Sequence, residues 1–122
     1  MHEGSLIASL LRQVADLATL QGASAVTEIR IEVGPLAAVE PSLLQTACER
    51  LRAGTIADHA ALMIDTIDLT CRCRSCQLRY TTEVVSFVCP ACGDRHVDVV
   101  AGDSVVLHSC TLQQSAETTA AP

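Results

Sequence analysis

Cys73-Arg74-Ser75-Cys76 and Cys89-Pro90-Ala91-Cys92 decide how this chain folds. Two Cys-x2-Cys pairs separated by twelve residues, 77–88, have the spacing of a four-thiolate zinc site. A Cys-x2-Cys turn lets two sulfurs converge on one ion while nearby backbone N–H groups stabilise their charge. Pro90 restricts the second turn, and Gly93 permits a left-handed exit from it. Arg74 stands where it can offset thiolate charge. The segment from Cys71 to about Val100 is rich in Cys, Arg and Thr and poor in aliphatic mass, so its folding is expected to depend on metal. Structural zinc in finger peptides supplies roughly 10–16 kcal/mol. Iron is the alternative ion, since rubredoxins also use paired knuckles, and it would colour the protein red. A redox dithiol lacks the thioredoxin-like βαβ context around either pair. An ion that only holds this segment together is the plainest functional reading. Cys71 has the less usual spacing to Cys73 and is left out of the ligand set, while Cys48 and Cys110 read as packing residues.

Outward from the cysteines, the flanking sequence is aliphatic and patterned. Over 4–21 the residues Leu6, Leu10, Val14, Leu17 and Ala18 fall on one helical face, and Gly22 supplies a stop. Over 26–33, Ile29, Ile31 and Val33 alternate with Glu28, Arg30 and Glu32, the pattern of a half-buried strand ended by Gly34-Pro35. A second helix begins near Glu40-Pro41, carries Leu43, Leu44, Ala47, Cys48 and Leu51 on its apolar stripe, and closes at Gly54. Residues 60–69 read as a strand whose long return through the helix allows a parallel crossover, and 103–112 as a last strand rejoining the same sheet. The expected fold class is therefore α+β: a small mixed three-stranded sheet with two helices, plus an inserted zinc-ribbon-like domain with a four-cysteine site. The expected domains are 1–69 with 101–112, an α/β domain, and 70–100, the zinc-binding domain. The tail 113–122 is Ala, Thr and Ser without periodicity and is expected to be disordered.

The chain has 122 residues, nearly half of them apolar, and Tyr80 and Phe87 are its only aromatics. The core must be aliphatic. A net charge of −6 argues against a nucleic-acid surface, which needs a basic field, and favours attraction of cations. Apolar runs are short, so no membrane span is expected. The start lacks the basic region and cleavage site of a signal peptide, so the protein is expected in the cytoplasm, where thiols stay reduced.

Met1-His2-Glu3 is the second chemical feature. A histidine at position 2 is ordinarily a solvated terminal residue. Here the Met1 amine, the His2 amide and the His2 imidazole can form adjacent chelate rings, a nitrogen set that nickel(II) and copper(II) accept in square-planar geometry. Glu3 adds a carboxylate that can ligate or hydrogen-bond behind the ligands. Met1 is expected to be retained, because a large second residue disfavours its removal. The remaining histidines have plainer readings: His59 as a solvated turn residue, His96 at the surface though within reach of a metal, and His108 on the outer face of the last strand.

Taken together these residues resemble the HypA/HybF family of hydrogenase maturation factors. The resemblance rests on the initial MHE before an amphipathic helix and on a V-x-x-I-x-I-x-V-G strand at 26–34. It continues through Val39, Glu40 and Leu44, then Gly54, Thr55 and Ala57, both knuckles, and a final Gly102-to-Leu107 strand. It implies a nickel metallochaperone, not an enzyme, with 1–69 and 101–112 as its nickel-binding α/β domain. It also implies that His2 is a nickel ligand together with the terminal amine of Met1, that Glu3 binds or tunes nickel, and that Glu40 approaches the site. Zn(II) on Cys73, Cys76, Cys89 and Cys92 is implied as structural. The implied partners are a HypB-type GTPase and the [NiFe]-hydrogenase large-subunit precursor, with no nucleic acid and no membrane. Gly4 departs from the aliphatic residue usual there and weakens the helix start. A reading from another class is a zinc-ribbon protein-interaction module without metal delivery.

Overall fold

The computed structural model describes residues 3–114. Element order is α1 (Glu3–Gln21), β1 (Ala23–Val33), a short 3-10 turn (Pro35–Ala37), α2 (Pro41–Leu51), β2 (Ala61–Thr66), β3 (Leu69–Cys73), β4 (Arg79–Thr82), β5 (Val97–Ala101) and β6 (Val105–Gln114). Two three-stranded sheets result, ordered β2-β1-β6 and β4-β3-β5. The chain divides into two compact units. One comprises the described residues up to Ile31, Val39–Ile64 and those from Leu107 on; the other comprises Glu32–Ala38 and Asp65–Val106.

In the first unit, α1 and α2 pack against each other. The buried stripe of α1 is Ile7, Leu10, Val14 and Ala18. This corrects the expected face: Ile7 is 1% exposed and replaces Leu6, while Leu17 is 40% exposed. Spacings of three, four and four residues follow the 3.6-residue period more closely than a stripe containing adjacent Leu17 and Ala18. Leu44, Ala47 and Cys48 supply the buried face of α2, with Pro41 in its first turn, where a missing N–H costs nothing. Ile29 and Ile31 are fully buried, as the alternation requires, and no polar or charged residue is buried among the described residues.

Hydrogen bonds at the strand ends give the direction of pairing. The Val26 N–H donates to the Ile56 carbonyl, ahead of β2, and the Ile67 N–H donates to the Val33 carbonyl, behind it. β1 and β2 therefore run parallel. The Ser24 hydroxyl donates to the Gln113 and Gln114 carbonyls and that of Thr27 to the Thr111 carbonyl, so β6 runs antiparallel to β1. The sheet is mixed, as expected. β1 starts three residues earlier than the pattern shows, because 23–25 carry small residues without alternation. The stretch 60–69 is not one strand. It breaks at Ile67-Asp68, and Leu69 opens β3 of the second sheet. β6 extends through Gln114, and residues 115–122 of the expected tail lie outside the described residues.

The second unit is built on β3, which pairs antiparallel with both β4 and β5. Its alternation buries Leu69, Cys71 and Cys73 on one face. Gly34 and Gly102 meet in this unit. The Leu36 N–H donates to the Gly102 carbonyl at 3.0 Å and the Gly34 N–H to that of Ser104 at 3.2 Å. A Cβ on Gly34 would overlap the Gly102 backbone. Gly34→Ala is therefore expected to destabilise the protein by about 3 kcal/mol, since the clash is with backbone that cannot swing aside. Urea unfolding of the zinc-loaded variant measures it.

Candidate metal centre

Each Cys-x2-Cys pair is closed by the same backbone bonds. The Gln77 N–H donates to the Cys73 carbonyl at 3.0 Å, and the Gly93 N–H to that of Cys89 at 2.9 Å. The Cys73 N–H donates to the Leu78 carbonyl at 2.8 Å, and the Cys89 N–H to that of Asp94 at 2.9 Å. The fifth residue of each turn has positive φ, 66° at Gln77 and 75° at Gly93. The left-handed exit expected at Gly93 is thus present. Gln77 makes the same exit against the steric preference of a side chain, with its amide nitrogen bonded to the Arg74 carbonyl at 3.0 Å.

β3 delivers Cys73 at its end, and the loop after β4 delivers Cys89 and Cys92. The four sulfurs lie within 4.8 Å of one another. Cys73 and Cys92 are 3.5 Å apart, Cys76 and Cys89 3.6 Å. Tetrahedral thiolates at about 2.3 Å from a central ion stand roughly 3.8 Å from each other, so the thiols fit such an ion. Cys73 and Cys89 are buried, Cys76 and Cys92 exposed.

The thiols do not share one acidity. Backbone N–H groups of Cys92 and Ala91 favour the Cys89 thiolate and, with the neighbouring thiols, lower its pKa to about 7 despite desolvation. The Asp94 N–H likewise favours the Cys92 thiolate. The Cys73, Cys89 and Cys76 sulfurs and burial outweigh it and push Cys92 up to about 12. Cys76 is also raised: the Leu78 N–H acts downward, but Cys89, burial and Cys73 prevail. The Cys89 thiolate forms readily while Cys76 and Cys92 resist, because like charges this close repel. A cation at the centre removes that resistance.

A polar network crosses between the turns. The Ser75 hydroxyl donates to Asp94, and the His96 N–H and Nδ1 lie 3.0 and 2.7 Å from Asp94 Oδ1. The Ser75 bond first, and those from His96 next, hold the Asp94 carboxyl well below the usual carboxylate range. Arg74 is not directed at the thiolates, contrary to expectation. Its Nε and Nη2 donate to Asp98 Oδ1 at 2.9 and 2.6 Å, which lowers the Asp98 pKa. No sequence signal marks Asp94, Ser75 or Asp98, since a single acid or hydroxyl near a cysteine has no spacing rule.

Glu3 and Glu40, the other expected site residues among those described, belong to the first unit. Glu3 is half-buried in the first turn of α1 and, with Gly4, Leu43, Thr46, Ala47 and Arg50, lines a cleft of about 270 Å³. Glu40 is exposed and precedes α2, its carbonyl accepting from the Leu43 and Leu44 N–H groups. Met1 and His2 lie outside the described residues. Among the described residues, the four cysteines are the group of His, Cys, Asp or Glu side chains placed to hold a metal. His59 and His108 are exposed, as is His96. No helix among the described residues is long and apolar enough to cross a membrane.

Fold and site together define a small α+β metal-binding protein with a four-thiol centre. The family described as hydrogenase/urease nickel incorporation, metallochaperone, hypA matches residues 1–112. Hydrogenase maturation factor HypA of Aquifex aeolicus is 33% identical over 113 residues, covering 93% of this chain and 98% of that protein. The protein of that name from Rhizobium leguminosarum bv. viciae is 37% identical over 105 residues, covering 86% and 93%. The solution structure of the Ni metallochaperone HypA from Helicobacter pylori shares the fold, with a TM-score of 0.78 at 23% identity over 94% of this chain and 100% of that one. The chain belongs to the HypA family of nickel metallochaperones and hydrogenase maturation factors.

Three outcomes follow from the turn geometry and the ion pair. Gly93→Ala should cost about 1 kcal/mol in denaturant unfolding, because open space surrounds the added methyl and only the positive φ opposes it. Gln77→Gly should change stability by less than about 0.5 kcal/mol, relief of the same strain being offset by glycine's chain entropy. Asp98 contributes stability above the ordinary carboxylate pKa and loses it as pH falls through its lowered value. Arg74→Ala should return the Asp98 titration towards the ordinary range, read by NMR.

Proposed function

We propose that this chain carries nickel(II) at its N-terminus and delivers it for maturation of [NiFe]-hydrogenase. The Met1 amine, the His2 amide and the His2 imidazole form the chelate, with Glu3 in support and Glu40 as the further acidic residue near it. The observation that carries this reading is the family match, which begins at residue 1 and so includes Met1-His2-Glu3. A nitrogen-rich set of this kind suits nickel(II), whereas four soft thiolates suit zinc. The two sites are chemically sorted.

Zinc on Cys73, Cys76, Cys89 and Cys92 holds the second unit, which has little aliphatic core beyond Val33, Leu69 and the cysteines themselves. The nickel site passes its ion on by ligand exchange, without covalent catalysis. A carrier must release what it binds, so its affinity is moderate. The partners are a HypB-type GTPase and the large-subunit precursor, in the cytoplasm.

Calorimetric titration of nickel into zinc-loaded protein with its native N-terminus, beside His2→Ala, tests the assignment. Stoichiometric nickel binding that disappears in the variant while zinc stays bound is the expected outcome. Equal binding by both proteins, or by neither, refutes it. Because the amine and imidazole must lose protons to bind, nickel affinity should fall as pH is lowered. The same affinity in mildly alkaline and mildly acidic buffer contradicts the ligand set.

A further inference from the structure

Asp94 touches both Cys-x2-Cys turns. Its carbonyl accepts the Cys89 N–H at 2.9 Å, and its own N–H points to the Cys92 sulfur. Its carboxylate accepts the hydroxyl of Ser75, which lies inside the first turn. The second carboxylate oxygen accepts the His96 N–H at 3.0 Å and lies 2.7 Å from His96 Nδ1. The His96 carbonyl in turn accepts the Arg74 N–H at 2.8 Å, and the Arg74 side chain is held by Asp98. Residues 74 and 75 of one turn are thereby tied to 94, 96 and 98 beyond the other.

An ion leaves a four-thiolate site stepwise, one sulfur swinging away before the next. Here a sulfur of one turn can move away from those of the other only if the bonds through Asp94 stretch or break. Partners that orient the ligands from behind typically change metal affinity by 10–100-fold.

We propose that Asp94 is a positioning residue that latches the two turns together and makes the four-thiol site slow to exchange its ion. Zinc is then retained, and the cargo nickel is kept out of a thiolate set that would otherwise sequester it. Only this second consequence rests on the nickel reading above; the latch itself does not.

The test is the rate of zinc transfer from the full-length, zinc-loaded chain to the chromogenic chelator 4-(2-pyridylazo)resorcinol. Asp94→Ala and Ser75→Ala should each release zinc about ten-fold faster. The double variant should be no faster than Asp94→Ala alone, because both substitutions remove one shared interaction. Circular dichroism of the zinc-loaded proteins should be unchanged. Should Asp94→Ala fail to retain zinc at purification, Asp94→Asn carries the test: its amide oxygen still accepts from Ser75, so release should fall between wild type and Ser75→Ala. Unaltered release in these variants, or single effects that multiply in the double variant, overturns the latch. In a second arm, excess nickel is added to zinc-loaded protein. Sulfur-to-nickel charge-transfer absorption should grow faster in Asp94→Ala than in wild type. Equal growth in both, alongside faster zinc release, overturns the exclusion of nickel and leaves the latch standing.

Discussion

Four sulfurs within 4.8 Å of one another are the constraint on which the second unit depends. Backbone N–H groups make one of them, Cys89, acidic, while Cys92 is pushed far the other way by its neighbours. Such a cluster is incomplete without positive charge. Arg74, a protein cation nearby, is bound to Asp98 instead, which leaves the cluster suited to a metal ion. The few apolar side chains buried in that unit include two of the four, Cys73 and Cys89, which makes the cluster part of its core.

The first unit is held by different physics. Its core is aliphatic and conventional, with Ile7, Leu10, Val14 and Ala18 of α1 and Leu44, Ala47 and Cys48 of α2 buried. Burial of this kind needs no metal, so this unit does not share the charge problem of the thiol cluster. The proposed nickel chelate uses the first residues of the chain, where an amine, an amide and an imidazole come from adjacent positions. Adjacent chelate rings need little tertiary support. That suits a carrier, whose ligands must also let go.

Some features were legible because their chemistry is local. The Cys-x2-Cys spacing sets the turn that converges two sulfurs, and Gly93 marks its left-handed exit. Alternation in β1 and the proline at the start of α2 follow from the same short-range rules. Other features were not legible, because they depend on which residues meet across the fold. Gln77 takes the positive φ that sequence assigns to glycine, since the turn of the first cysteine pair dictates it. The apolar run 60–69 looks continuous, yet breaks at Ile67-Asp68 so that Leu69 can join a different sheet. Periodicity cannot show that division, since both strands alternate.

The sequence by itself determined the four-cysteine set, the α+β class and the family, because cysteine spacing, hydrophobic period and motif order are written along the chain. Tertiary structure alone decided that 60–69 divides between two sheets, where Arg74 spends its charge, and that Asp94 joins the two cysteine turns. Each of these depends on contacts between residues far enough apart that no local pattern encodes them. Ser75 and Asp94 are nineteen positions apart and become partners only when both turns close around the same centre.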